Sequence, residues 1–213
     1  MQAAGSYIDS GRTPKNLTTG SATLTQTAGG WGCSFNGSSQ YLAAASVADW
    51  QFMQQQAYTL GIVVYSGFVQ PTTWGGAGTP GMFTTNPGGP AAEIVMQGSS
   101  GALIYRAGAA AAVTTGKQVV VFRVSSPTKN STSPSTTFDW GAAYVNGLRV
   151  GHRASTWTAN ATPVSLPLQI GKAPSTGAFL AGAFLDFFVD DREWGDDEIQ
   201  AYTSYWHWKL DQI

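Results

Sequence analysis

Residues that usually carry chemistry are scarce in this chain. Cys33 is the one cysteine, and His152 and His207 are the only histidines. Glutamate occurs only at Glu93, Glu193 and Glu198. Charged side chains make up 11% of the sequence, against roughly 25% in an ordinary soluble domain. Each shortage excludes something. One cysteine rules out an internal disulfide framework. No histidine or basic residue lies close to Cys33 in sequence, so it reads as a buried, inert thiol. A net charge of -1 leaves no basic footprint for nucleic acid or an anionic membrane. No run approaches the ~18 apolar residues of a membrane span. The segment after Met1 has neither a basic n-region nor an apolar core, so no secretory signal is visible. Fold-forming sequence begins almost at once, as in a complete product made in a cytoplasm.

What is present is glycine, serine, threonine and asparagine between short β-rich runs. The surface must be built from these neutral polar groups. Such surfaces suit extracellular domains and protein shells, where subunits pack side by side, and they keep free monomers apart poorly. At 213 residues the chain can bury roughly 70% of its unfolded surface without staples.

The apolar pattern has mostly a period of two. Tyr58-Thr-Leu-Gly-Ile-Val-Val-Tyr65 is nearly continuous, as expected of a strand covered on both faces. In Lys117–Ser125, Val119, Val121 and Arg123 share one parity, and Val120, Phe122 and Val124 the other. Leu17 to Thr27 is rich in Thr and predicts an edge or rim. Cys33 and Phe35 share a strand face ahead of a turn at Asn36-Gly37, and Tyr41-Leu42 opens the next strand. Ala92–Met96 and Ala102–Arg106 predict a hairpin, Gly108–Thr115 a weak pairing, and Asp49–Gln56 a short helix or loop. Asn146-Gly147 is the strongest hairpin signal. Ser66 to Pro90 predicts a long loop set, with Trp74, Met82, Phe83 and Asn86 embedded in it. Pro167 interrupts a strand from Val164 to Ile170 and points to an edge or a bulge.

The chain closes on one long strand and one helix. Leu185, Phe187 and Val189 share a parity and predict an apolar face; Phe184, Asp186, Phe188 and Asp190 alternate on the other. Gly195 or Asp196 can cap the helix, with Glu198 in its first turn. Ile199, Tyr202, Thr203, Trp206 and Leu210 form one stripe to bury. Many strands, close turns and one helix predict an all-β fold, a sandwich or barrel. No linker divides the chain, so residues 1–213 are expected to form a single domain.

Several motifs occur in a telling order. Tyr7-Ile-Asp-Ser-Gly-Arg12 is followed by Ser34-Phe-Asn-Gly-Ser-Ser-Gln-Tyr-Leu42 and the Tyr58–Tyr65 strand. Ala143-Tyr-Val-Asn-Gly-Leu148, Leu168-Gln-Ile-Gly171, and Gly182, Asp186 and Asp196-Asp-Glu-Ile199 come later. This order resembles the concanavalin A-like lectin/glucanase superfamily, in its laminin G-like and pentraxin-like branch. The aromatic and Lys ending, Tyr205–Leu210, resembles bacterial and phage members. The resemblance implies a two-sheet antiparallel jelly-roll sandwich with a short C-terminal helix. Asn36 and Asn146 stand where the family carries an acidic residue. A turn Asn keeps the φ > 0 geometry, but its neutral amide is a poorer Ca²⁺ ligand.

Catalysis is not supported by the residues. A retaining glycosidase of this fold needs two carboxyl groups about 5 Å apart. The three glutamates are isolated, and Asp186 and Asp190 stand ~13 Å apart on an extended strand. Neither histidine fits a triad or a metal-ligand spacing. Asp139 and Asp190-Asp191 lack a Ca²⁺-loop context, so no cofactor and no metal is expected. Binding through loops remains. Trp74 and Trp157 are aromatic residues in polar loops, where each ring either stacks on a sugar or caps the core; Asn86 can supply hydrogen bonds. Trp208 lies opposite the buried helix stripe. Either a partner covers it, or the last helical turn frays and Trp208 folds back. These features predict a non-enzymatic structural or adhesive protein. The leading expectation is a bacteriophage virion component, a capsid decoration or tail or fibre protein located on the virion. Its expected partners are other virion proteins or further copies of itself, and possible glycans, with no nucleic acid and no membrane. The alternative is an extracellular carbohydrate-binding module.

Overall fold

The computed structural model describes residues 6–7, 17–20, 23–27, 30–44, 46, 48–66, 81–84, 93–97, 102–105, 110–112, 117–125, 141–153, 168–172, 179 and 181–211. In chain order the strands begin with β1 (Ser6–Tyr7), β2 (Leu17–Gly20), β3 (Thr23–Thr27), β4 (Gly30–Asn36) and β5 (Tyr41–Ala44). A 3₁₀ turn over Ala48–Gln54 leads into β6 (Tyr58–Ser66). Next come β7 (Gly81–Thr84), β8 (Glu93–Gln97), β9 (Ala102–Tyr105), β10 (Ala110–Ala112) and β11 (Gln118–Val124). The last are β12 (Gly141–Val145), β13 (Leu148–Arg153), β14 (Gln169–Ile170), β15 (Ala181–Asp190) and helix α1 (Asp196–Asp211).

The strands form two antiparallel sheets. Among the described residues one has eight strands in the order β1-β2-β5-β14-β7-β8-β9-β10, and the other has seven, β13-β12-β11-β6-β15-β4-β3. The fold is an all-β sandwich with one C-terminal helix. Its centre is the seven-stranded sheet, where β6 lies between β11 and β15. Tyr58, Leu60, Ile62 and Val64 are buried on one parity of β6, and Thr59 and Val63 are buried on the other. The near-continuous apolar run therefore does mark a strand covered twice. Val63, Val119, Val121, Ala142 and Tyr144 pack against Ile199, Trp206 and Leu210 of α1. By alternation the opposite parity, with Val120, Phe122 and Val124, faces the space between the sheets.

The helix forms where its stripe predicts. Ile199, Thr203, Trp206 and Leu210 are buried and Tyr202 packs beside them. Gly195 precedes the first turn, and its N–H donates to Glu198 Oε2 at 2.8 Å, half of a capping box. Burying Trp206 and Leu210 contributes about 1.5–3 kcal/mol each.

Several boundaries differ from expectation. Asn36-Gly37 is not a hairpin: β4 belongs to the seven-stranded sheet and β5 to the eight-stranded one, so the chain crosses between sheets there. Its positive φ falls on Gly37 (75°), not on Asn36. Asn36 Oδ1 instead accepts the N–H groups of Ser38, Ser39 and Gln40. At the other Asn-Gly the expectation holds, with φ of 52° at Asn146 and 79° at Gly147 closing the β12–β13 hairpin. Gly81–Thr84, expected in a loop, is a strand pairing with β14 and β8. A four-residue strand between glycines and prolines carries too little pattern to stand out. The strand that Pro167 was expected to put at an edge or a bulge, β14, is internal, between β5 and β7. It spans only Gln169–Ile170. The parity of β15 is broken by register shifts around Phe184, so Leu185 joins Phe188 against the helix-side cluster. The Thr-rich segment splits: β3 is an edge strand, while β2 has neighbours on both sides.

Candidate functional site

Two side-chain clusters sit on this frame. The larger lies under and around the start of α1. Phe188 of β15 stacks on Trp194 at 4.4 Å between ring centroids, and Tyr202 meets both rings edge-on. The polar groups around them are closed into pairs. Arg123 Nη1 contacts Asp196 Oδ1 at 2.6 Å, and the Tyr144 hydroxyl donates to the same oxygen at 2.9 Å. Trp194 Nε1 donates to Asp190 Oδ2 at 2.6 Å. Thr59 Oγ1 accepts the Trp194 N–H and donates to the Arg192 carbonyl, both at 2.9 Å. Arg192 bridges Asp190 and Glu198. Ser125 Oγ donates to Glu193 at 2.7 Å.

These partners set the acidities. The Tyr144 hydroxyl, followed by Arg123, holds Asp196 below the usual carboxylate range. The Gly195 N–H and then Arg192 do the same for Glu198. Burial pushes Tyr144 up to about 12 and raises Tyr202 as well. Asp186 goes the other way. Burial beneath the helix raises it, against hydrogen bonds from Tyr202 (3.2 Å) and Trp206. Asp186 and Asp190 share a strand but serve different partners. The arrangement fastens a helix, with Asp190 and Glu198 held together by Arg192. Among the described residues no group of His, Cys, Asp and Glu could hold a metal ion.

The smaller cluster lies where β5 begins, β14 ends and β15 is about to begin. Tyr41 and Phe179 approach at 6.2 Å between centroids. Lys172 Nζ stands 4.9 Å from the Tyr41 centroid and 5.4 Å from that of Phe179. Lys172 and Phe179 pair through an isolated antiparallel bridge. All three side chains are half-buried.

The expected site residues fare unequally. Trp74, Asn86, Trp157 and Asp139 lie outside the described residues, as does the side chain of His152. Trp208 is 62% exposed, on a helix that stays helical to Asp211, so its last turn does not fray. Trp208 lies near Tyr205, itself 51% exposed. His207 is exposed, and Cys33 is buried. Neither the Arg123–Asp196–Tyr144 group nor the Tyr41–Lys172–Phe179 group was foreseen. Each joins residues far apart in the chain, and no local pattern signals such a meeting.

No family model and no curated protein matches the chain. Solved structures do. The sialidase of Trypanosoma rangeli, in complex with the inhibitor DANA, superposes with a TM-score of 0.62 and 16% identity. The match covers 95% of this chain and 31% of the sialidase. The binding domain of botulinum neurotoxin DC, in complex with SialylT, gives a TM-score of 0.59 and 10% identity, covering 93% of this chain and 48% of that one. The chain thus spans about a third to a half of these neighbours' length. At such identities the likeness is one of fold.

Proposed function

We propose that this chain is a non-enzymatic adhesive domain that binds glycans, carried on a bacteriophage virion as a capsid decoration, tail or fibre component. One observation carries the binding reading above a hydrolytic one. Asp186, Asp190, Asp196, Glu193 and Glu198 each hold a hydrogen bond within the fold. These bonds tie the five carboxylates to α1 and its approach. The fold likeness to a toxin's binding domain in complex with SialylT supports the same reading, as analogy only. An extracellular carbohydrate-binding module is the alternative setting. The virion setting is supported by the low-charge Ser/Thr/Gly composition and by the exposed rings of Tyr205 and Trp208.

The test is a glycan array probed with the purified chain, beside an assay for sialoside and glucan hydrolysis. Retention on glycans without turnover is expected. Turnover that falls on Asp186→Asn would overturn the non-enzymatic reading. Loss of array signal in Trp74→Ala or Trp157→Ala, at unchanged Tm, would place the site on those loops. For the virion setting, the chain is expected to co-purify with particles; a chain absent from every particle fraction would remove that part.

A further inference from the structure

We infer that Trp208, with Tyr205, Ser204 and Asp211 around it, forms a subsite for a neutral pyranose on the outer face of α1. The inference rests on the glycan-binding reading and adds to it a place and a ligand class. Asp197, Ala201, Ser204, Trp208 and Asp211 follow one another at steps of four and three residues, and all are exposed. They therefore line one face of the helix, away from its buried stripe. Trp208 stands in that face at 62% exposure. Its ring centroid lies 6.3 Å from that of Tyr205, with the planes tilted by 41°. Lys209 stands over Tyr205 and Trp206, and among the described residues no cation covers Trp208. The open face of the indole can take a sugar's C–H face.

The platform is held in advance. Tyr205 meets the buried Trp206 edge-on at 5.6 Å between centroids, and Trp206 packs in the helix-side core. Trp208 is steadied in turn through Tyr205, which lowers the rotamer entropy lost on binding. Side chains on a helix lean toward its N-terminus. The indole therefore leans over Ser204 and Tyr205, and Asp211 leans back toward the indole. Ala201, in the next turn, adds no bulk that would block the ring.

The charges on this face define the ligand class. A carboxylate in the last turn opposes the helix dipole, and among the described residues Asp211 has no hydrogen-bond or ion-pair partner to offset that cost. It can accept hydroxyl groups of a sugar, with the Ser204 hydroxyl beside it. Asp197 and Asp211 together make the face acidic, so it repels an anionic sugar and favours a neutral one. A second copy of the chain fits this face less well. At 62% and 51% exposure the two rings offer at most about 300 Å², whereas a stable interface buries about 800 Å² on each partner. Exposed Leu148 does not extend them: it pairs with Val145, on the parity opposite helix-side Tyr144, and so faces away from α1. An antiparallel second α1, with each Trp208 over the other copy's Ala201, would also set Asp197 beside the other copy's Asp211, like charge against like.

The experiment measures affinity of the whole chain for lactose, for maltohexaose and for sialyllactose, which adds a carboxylated sugar to lactose. At least one neutral probe is expected to bind, and sialyllactose no more tightly than lactose. Trp208→Ala should weaken the neutral probe by about tenfold or more at unchanged Tm, and Trp208→Phe should restore most of it. Asp211→Asn should weaken it by about fivefold, the difference between a charged and a neutral acceptor. Tighter binding of sialyllactose than of both neutral probes, or unaltered binding in Trp208→Ala, overturns the subsite. If Trp208→Ala binds normally while Trp74→Ala does not, the glycan reading stands and this subsite falls. If Trp208→Ala lowers self-association in sedimentation and leaves sugar binding intact, the face belongs to a second copy and the subsite is overturned. If neither neutral probe binds, the subsite falls; if no glycan on an array is retained either, the glycan reading falls with it.

Discussion

Gly61 leaves room for Phe188. The two residues pair across β6 and β15, and a Cβ on Gly61 would overlap the Phe188 ring. The ring that this space admits is the one that stacks on Trp194 and meets Tyr202. A missing side chain in the central strand thus seats the aromatic layer beneath α1.

Gly61→Ala should therefore destabilise the fold by about 1–3 kcal/mol, the usual cost of overpacking. Denaturant melts would show it as a lower midpoint. Adding Phe188→Leu should cost less than the sum of the two single changes, since the smaller side chain relieves the overlap. Strict additivity would mean that the two positions do not press on one another.

Trp206 and Trp208 are two residues apart and should behave oppositely. Trp206 is 6% exposed and packs in the helix-side core, so Trp206→Ala should cost about 3–5 kcal/mol. Trp208→Ala should stay within about 0.5 kcal/mol. If a further copy of the chain covers this face, Trp208→Ala should also lower self-association in sedimentation. Unchanged association would remove Trp208 from the contact.

Asp186 and Asp196 should give pH dependences of opposite sign. Burial raises Asp186 above its unfolded value, so the folded state binds its proton more readily. The stability it contributes is present at low pH and is lost as pH rises through its folded value. Asp196 is lowered by Tyr144 and Arg123, so its contribution is present above the unfolded value and is lost as pH falls through the folded one. Asp186→Asn should flatten the decline on the rising side, and Asp196→Asn the loss in acid. Both curves are read from Tm against pH, and like slopes from the two variants would contradict this assignment.

Asn146 holds two strands at once. Its φ of 52° closes the β12–β13 turn, its N–H donates to the Val119 carbonyl, and its Oδ1 accepts the Val119 N–H at 3.0 Å. Asn146→Ala should cost about 2 kcal/mol, from the lost hydrogen bond and the left-handed backbone together. Asn146→Gly keeps the backbone and should cost roughly half as much. Equal losses in chemical denaturation would show that the turn geometry contributes nothing.

How much was legible varies with the range of the interaction. The α1 stripe, Ile199, Thr203, Trp206 and Leu210, is local, and a period of 3.6 residues exposes it directly. The two-sided burial of β6 is legible in the same way, because both parities of the run are apolar. The crossing at Asn36-Gly37 is not, since a tight turn looks alike whether the next strand pairs with the last or with another sheet. Of the candidate site, Trp208 was recognisable as the residue left off the stripe. Lys172 beside Tyr41 was not, for 131 positions apart no periodicity relates them.

The sequence by itself determined the class of fold, the closing strand and helix, and the poverty of acid–base machinery. Alternation, helical spacing and composition are short-range records of burial, and they survive in one dimension. Only the tertiary structure decided which strand lies beside which, where β15 slips its register, and which carboxylates are tied up under α1. It also decided that Tyr41, Lys172 and Phe179 share one end of the sandwich. Those outcomes depend on contacts between distant segments, and the free energy of such contacts is written in no single stretch of chain.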